Sequence, residues 1–315
     1  LWSRAQAEGD AFARPGPQRL VGLTSGRAGW LAVGFDGPAP RRPLILTSAD
    51  GMRWSATARA NVFKSADQVD TAAATSGPTG YVIVGDDGPS AAVWHSADLK
   101  TWDRGEGTTK DAMDGSPGAG RWMHSVVSGP FGYVAVGGLN DPSVQNAPTG
   151  RPAVWTSADG EKWALQQLPL PPKTIEATFH QVAIEQNVLT AAGTAKTSSG
   201  TVVFAFTSAD GGKTWKPAGL PSAGPGDSAV TAVAATPKGF VIAGTHKNGA
   251  DADTALWTSP NGISWHVETP SGTGLSGRGD QWLTGLTAVS GDLVGIGITR
   301  NLTGEQPTLW RRPLP

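Results

Sequence analysis

The sequence predicts an all-β chain folded as a six-bladed β-propeller with four antiparallel strands per blade, and three observations carry that prediction. A turn motif recurs five times, and an apolar run ending at glycine recurs six times. The composition also favours tight turns over long helices: 315 residues contain 43 Gly, 24 Pro and 13 Trp against 16% charged residues, a balance suited to short strands and rigid aromatic packing. No change of texture marks a second domain, so residues 1–315 are read as one propeller.

The turn motif runs Ser48-Ala49-Asp50-Gly51 to Trp54, Ser96-Ala97-Asp98 to Trp102, and Ser157-Ala158-Asp159-Gly160 to Trp163. Two further copies are Ser208 to Trp215, with Asp210, and Ser259 to Trp265, with Asn261. The serines are spaced by 48, 61, 51 and 51 residues, the length of a propeller blade with loop insertions. Asp-Gly or Asn-Gly between two strands signals a hairpin, because glycine accepts the positive φ that such turns require.

Upstream of each turn lies a run such as Trp30-Leu31-Ala32-Val33-Gly34, Tyr81 to Gly85, Tyr133 to Gly137, Val188 to Gly193, Phe240 to Gly244 and Leu293 to Gly297. Short continuous apolar runs suit strands buried on both faces. Blades are therefore expected at about 17–57, 67–105, 122–166, 179–218, 228–268 and 283–312. The sixth supplies three strands, and Leu1-Trp2-Ser3-Arg4-Ala5 resembles the fourth strand Arg53-Trp54-Ser55-Ala56-Thr57. Residues 1–6 are thus expected to complete the last blade against Trp310 and remove an exposed sheet edge.

Residues Ser208 to Trp215 match the pattern Ser-x-Asp-x-Gly-x-Thr-Trp at every position, and the chain accordingly resembles the Asp-box (BNR-repeat) propellers. The other copies are degenerate: two are one residue shorter, one has Leu99 for glycine, and one has Asn261 for Asp. The resemblance implies a sialidase-like fold in which the motif is a structural hairpin, the Asp binding turn amides and the Trp packing beneath. Catalytic members of the family use a Tyr nucleophile. The two tyrosines here, Tyr81 and Tyr133, occupy repeat positions shared with Trp30 and Phe240, so they are read as packing and the catalytic set as missing.

Charge and composition exclude several classes. The formal charge is −1 and no Lys/Arg run exceeds two residues, so neither nucleic acid nor an anionic membrane is an expected partner. No apolar stretch approaches the roughly 18 residues of a membrane span, and no signal segment opens the chain. The absence of cysteine removes disulfide, thiol and thiolate-metal chemistry. Acidic loops at Asp86-Asp87, Asn140-Asp141 and Asp251-Ala252-Asp253 are too short in ligands for calcium, and His95, His124, His180, His246 and His266 show no zinc spacing. No metal or cofactor is expected. Arg278-Gly279-Asp280 and the acceptor Asn301-Leu302-Thr303 are read as chance matches, and the composition suggests a secreted or cell-envelope protein of a high-GC bacterium.

Residues that break the repeat point to function, because the repeat explains its own copies. Trp122 and Trp282 precede first strands, with Phe63 and Phe179 in comparable stretches. Arg121, His124, His180, Gln68 and Arg278, together with Arg19, Lys64 and Asp227, are the accompanying polar groups. If these aromatics share a ligand face, the set suits a carbohydrate or peptide; if they fill gaps between blades, it does not. Non-catalytic recognition is the leading expectation, a protein scaffold within a larger secreted complex the second, and a glycoside-processing enzyme using Asp227 and Asp280 the third.

Overall fold

The computed structural model describes residues 4–9, 11–12, 16–37, 41–57, 61–65, 68–140, 150–270, 274–302 and 304–314. These residues form six small sheets, one per sequence repeat, and the fold class is the six-bladed β-propeller. The first sheet comprises β1 (Gln6–Ala7), β2 (Gln18–Gly26), β3 (Gly29–Asp36), β4 (Arg42–Ser48) and β5 (Arg53–Ala56). After a short 3-10 turn at Asn61–Phe63 come β6 (Val69–Gly77), β7 (Gly80–Asp87), β8 (Ser90–Ser96) and β9 (Asp103–Arg104). The third sheet joins β10 (Glu106–Gly107) to β11 (Arg121–Gly129), β12 (Gly132–Asn140), β13 (Gly150–Ser157) and β14 (Lys162–Gln167), with the single helical turn α1 (Lys110–Met113) between β10 and β11.

The fourth sheet is β15 (Glu176–Glu185), β16 (Val188–Thr197), β17 (Gly200–Ser208) and β18 (Lys216–Ala218). The fifth is β19 (Asp227–Thr236), β20 (Gly239–Lys247), β21 (Ala252–Ser259) and β22 (His266–Glu268). The sixth has three strands, β23 (Asp280–Val289), β24 (Asp292–Asn301) and β25 (Gly304–Pro313). Two compact units divide the chain: residues 1–148 with 153–167, and residues 149–152 with 168–315. Within each sheet, neighbouring long strands are antiparallel, and the hairpins between first and second strands turn on glycines at positive φ such as Gly29, Gly80 and Gly132.

In the first unit, buried Val82, Val84, Met123, Tyr133, Trp155 and Trp163 form one cluster, and Leu31, Ile83, Trp94 and Trp102 form another. In the second, Ile242, Phe240, Trp257 and Trp265 centre the core of the fifth sheet. The second strands are the most buried elements, as their uninterrupted apolar runs require, except β24, which alternates buried and exposed residues. Tyr81 and Tyr133 are buried, and their hydroxyls donate to the Gly29 and Gly80 carbonyls at 2.8 and 3.1 Å, locking each ring under the hairpin of the preceding sheet.

The N-terminal segment differs from expectation in its described part. Gln6, the last residue of the expected closing strand, pairs in parallel with Arg53, and Ala7 with Trp54, so this stretch edges the first sheet. Leu1, Trp2 and Ser3 lie outside the described residues. Strand β10 does the same for the third sheet, Glu106 pairing with Lys162 and Gly107 with Trp163. A two-residue strand has no side-chain period, which is why β10 was not legible as a strand and the partner of Gln6 was not legible either.

Candidate functional site

Four of the five turn motifs share one hydrogen-bond plan. In the third sheet the Ser157 hydroxyl accepts from Gly160 N–H at 2.8 Å, and Asp159 Oδ1 accepts from Glu161 and Lys162 N–H at 2.8 and 3.0 Å. Trp163 Nε1 then donates to the Gly160 carbonyl at 2.9 Å. Ser48, Asp50 and Trp54 repeat the plan, as do Ser208, Asp210 and Trp215. Ser259, Asn261 and Trp265 repeat it with an amide oxygen in place of the carboxylate. Bonds to the turn amides hold Asp50, Asp98 and Asp159 below the usual carboxylate range, and the Thr214 hydroxyl and amide help bring Asp210 to about 2. The second copy departs from the plan: Ser96 and Asp98 bind their turn amides, but Leu99 sits at φ 64° and the buried Trp102 Nε1 finds no acceptor.

Each first strand carries a β-bulge at the same place. The register slips between Leu20 and Gly22, Thr71 and Ala73, Met123 and Ser125, Phe179 and Gln181, Val230 and Ala232, and Leu283 and Gly285. Opposite the residue before each slip stands the glycine that ends the apolar run: Gly34, Gly85, Gly137, Gly193, Gly244 or Gly297. A Cβ on any of these six would fall on a first-strand carbonyl oxygen, that of Trp122 in the case of Gly137. The glycine thus makes room for the bulge.

The residues beside the bulge vary between sheets while this frame stays constant. Arg121, Trp122 and His124 lie together on β11, all half-buried, with His124 as the bulged residue and the Arg121 guanidinium donating to Ala119 O at 3.0 Å. His180 holds the bulged position on β15. Trp282 takes the corresponding place on β23, half-buried, with the Arg300 guanidinium 5.1 Å from its ring centroid and Glu305 bound to that guanidinium. The structure therefore puts Trp122 and Trp282 at equivalent positions of two sheets, one in each unit.

Phe63 and Phe179 are corrected to core residues. Phe63 stacks on Trp94 at 5.3 Å and edges Trp102 at 5.7 Å; Phe179, fully buried, packs on Phe204 and Phe206 at 5.0 and 5.9 Å. Both fill space that an alternating strand pattern alone leaves unassigned. Arg278 is exposed in the loop before β23, and Gln68 is exposed and bonded to Asp70. Of the two carboxylates in the glycoside-processing reading, Asp227 accepts from Thr201 N–H at 2.6 Å and Asp280 from Ala252 N–H at 3.0 Å, each tying its first strand to the third strand of the preceding sheet. Asp280 is thereby also engaged within the Arg278-Gly279-Asp280 tripeptide.

Sequence reasoning missed three tryptophans two residues ahead of the motif serines. Trp94, Trp155 and Trp257 donate Nε1 to the carbonyls of Val62, Ala112 and Pro221 at 2.7, 2.7 and 2.8 Å, pinning the segments that enter their sheets. Their recurrence two residues before Ser96, Ser157 and Ser259 was the available signal.

Two clefts stand out. One, of about 620 Å³ in the first unit, is polar, with Asp87, Ser90, Arg104, Glu106, Lys110 and Asp114 in its wall. The other, about 490 Å³ in the second unit, is apolar, walled by Pro171, Pro172, Phe204, Leu220, Pro221 and Trp257. Among the described residues no three His, Asp or Glu side chains converge as a metal site, and Asp141 and Thr303 lie outside those residues.

At the rim of the polar cleft, Asp86 faces Asp70 across the strand pair, beside Asp87, which is 3.2 Å from Arg104. Burial first, then Asp70 and Asp87, push the Asp86 carboxyl up to about 7. The folded chain therefore holds a proton that the unfolded chain releases near 3.8. Stability from this group falls as pH rises from about 4 to about 7 and is level above. Asp86→Asn is expected to stabilise the chain at pH 8 by on the order of a few kcal/mol, and by little at pH 4. Urea midpoints at the two pH values test this; equal shifts refute it.

No family model matches the chain, and no curated protein does. Solved structures do. A fungal lectin described by its six-bladed β-propeller fold and fucose recognition, Aleuria aurantia lectin, is 9% identical over 93% of this chain and 91% of its own, with a TM-score of 0.51. A protein from Lactobacillus plantarum is 10% identical over 94% and 85%, TM-score 0.56, and YCF48 bound to D1 peptide is 14% identical over 93% and 83%, TM-score 0.52. At these identities the likeness is one of fold alone, and it places the chain among six-bladed β-propellers.

Proposed function

We propose that this chain is a non-catalytic, Asp-box-type recognition propeller, lacking the sialidase catalytic residues, that binds carbohydrate or peptide outside the cell or in the cell envelope. One observation carries the reading. Half-buried Trp122 and Trp282 occupy equivalent bulge-flanking positions in two sheets, set on a frame that is otherwise constant, with His124 and Arg300 beside them. A partly exposed indole with neighbouring hydrogen-bonding groups suits a sugar ring or a peptide side chain. Propellers of the same fold are described with fucose and with a peptide.

Screening the wild-type chain on a glycan and peptide array beside Trp122→Ala and Trp282→Ala is expected to show a bound class whose signal drops about tenfold or more in variants with unchanged melting temperature. Binding that survives both substitutions sinks the assignment. The scaffold reading has one observation in its favour: Leu20, Val21 and Leu23 are 48, 42 and 61% exposed on β2. An array without hits, followed by co-purification of a protein partner, would favour it.

A further inference from the structure

In two sheets of this molecule the outer edge is covered by a short parallel segment, and the fourth sheet has none among the described residues. In the first sheet, Gln6 N–H donates to Met52 O at 2.7 Å and Glu8 N–H to Trp54 O at 2.8 Å. In the third, Glu106 N–H donates to Glu161 O and Thr108 N–H to Trp163 O, both at 2.8 Å. An extended tripeptide thus runs parallel to the outer strand, its first and third amides bonding the carbonyl two residues before the motif Trp and that of the Trp itself. Its central residue is small, Ala7 or Gly107, and Glu106 pairs with Lys162. In the fifth sheet the covering segment is Gly219-Leu220-Pro221, whose third residue has no N–H, and only the single bridge Gly219 to Ser264 forms.

In the second sheet the corresponding residues, 58–60, lie outside the described ones, and the fourth sheet has no such cover among the described residues. By the same spacing the segment would be Gln167-Leu168-Pro169, again with proline at the second donor position. No strand among the described residues pairs with the outer edge beside β18 at Lys213–Trp215. Trp215 is half-buried, whereas the other four motif tryptophans, Trp54, Trp102, Trp163 and Trp265, are 7, 5, 0 and 6% exposed. Lys213 and Lys216 flank the edge and are exposed.

We propose that the outer edge of the fourth sheet, at Lys213–Trp215, is a docking site for an extended segment of a partner protein, added as a parallel strand. The occupant carries an acidic first residue facing the lysines, a small second residue against Trp215, and a third residue with a free N–H. Main-chain bonds supply the attachment, and the lysines and the indole supply selectivity. This site is independent of the aromatic positions on β11 and β23.

The chain has no cysteine, so disulfide trapping reports one register cleanly. The probe is a heptapeptide copying Asp103–Thr109 with cysteine in place of Glu106. It is expected to cross-link to Thr214→Cys at least tenfold faster than to Lys162→Cys, whose edge is already covered. N-methylation of the peptide's two donor amides is expected to remove that advantage. Equal rates at the two sites, or an unchanged rate with the N-methylated peptide, overturn the proposal. In the wild-type chain, amide shifts at Lys213–Lys216 on titration with the unmodified peptide provide the second readout, with at least fivefold weaker binding expected for Lys213→Glu/Lys216→Glu; no shifts, or equal affinity, also overturn it.

Discussion

Gly137→Ala is expected to abolish folding of the third sheet or cost more than about 4 kcal/mol, the range reserved for backbone conflict and core disruption. The added methyl would sit on the Trp122 carbonyl oxygen, with Met123 Cα 3.0 Å away. Both are main-chain atoms of the bulge, so no rotamer change relieves the clash. The bulge would have to open, taking with it the placement of Trp122 and His124. Gly118→Ala is the control: it lies in a loop with nothing within 4 Å of where a Cβ would stand, though at φ 83°, so a cost of about 1 kcal/mol is expected there. Urea unfolding of the two variants checks the contrast, and similar midpoints would show that the bulge is not fixed by the glycine.

Trp163→Ala should be comparably severe, at roughly 3–5 kcal/mol. The side chain is fully buried, its ring lies 6.5 Å from that of Tyr133, and its Nε1 closes the turn on Gly160. Truncation opens a cavity and also frees the carbonyl that the indole satisfied. Trp163→Phe keeps most of the volume but loses the bond, and is expected to cost about 1–2 kcal/mol. Trp102 offers the comparison, since its Nε1 has no partner: Trp102→Phe should cost less than Trp163→Phe. Thermal and urea unfolding of the three variants would show the order, and a reversed order would mean that the turn bond carries little of the stability.

The blades were legible in the sequence because each is written in local signals. Hairpins need glycine at defined turns, buried strands need apolar runs, and the Ser-Asp-Trp motif closes on itself within seven or eight residues. The bulges left a local trace too, the glycine ending each run, although its purpose needed the opposing carbonyl to explain it. Other features depend on residues far apart in sequence. Phe63 and Phe179 resembled ligand-face aromatics because a repeat says nothing about which gaps lie between its copies. Asp227 and Asp280 resembled a carboxylate pair because their partners, amides of the preceding sheet, lack any side-chain signature. The same holds for β1 and β10, which are placed by main-chain bonds, with the Glu106–Lys162 ion pair beside the second. Of the candidate site, the equivalence of Trp122 and Trp282 was readable from their spacing, while the stacking of Arg300 on Trp282 was not.

The parallel pairing of β10 with β14 bears on how the chain is made. Glu106 and its partner Lys162 are 56 residues apart, about 3–11 s of translation at roughly 5–20 residues per second. Throughout that interval the segment that trails the second sheet waits for an edge not yet synthesised. The first and third sheets are each covered by a segment made before them, so vectorial synthesis delivers the cover first and the surface it protects last. A chain truncated between residues 108 and 161 would keep that segment as a dangling ribbon without its edge, and that ribbon is where a chaperone or protease would find its handle.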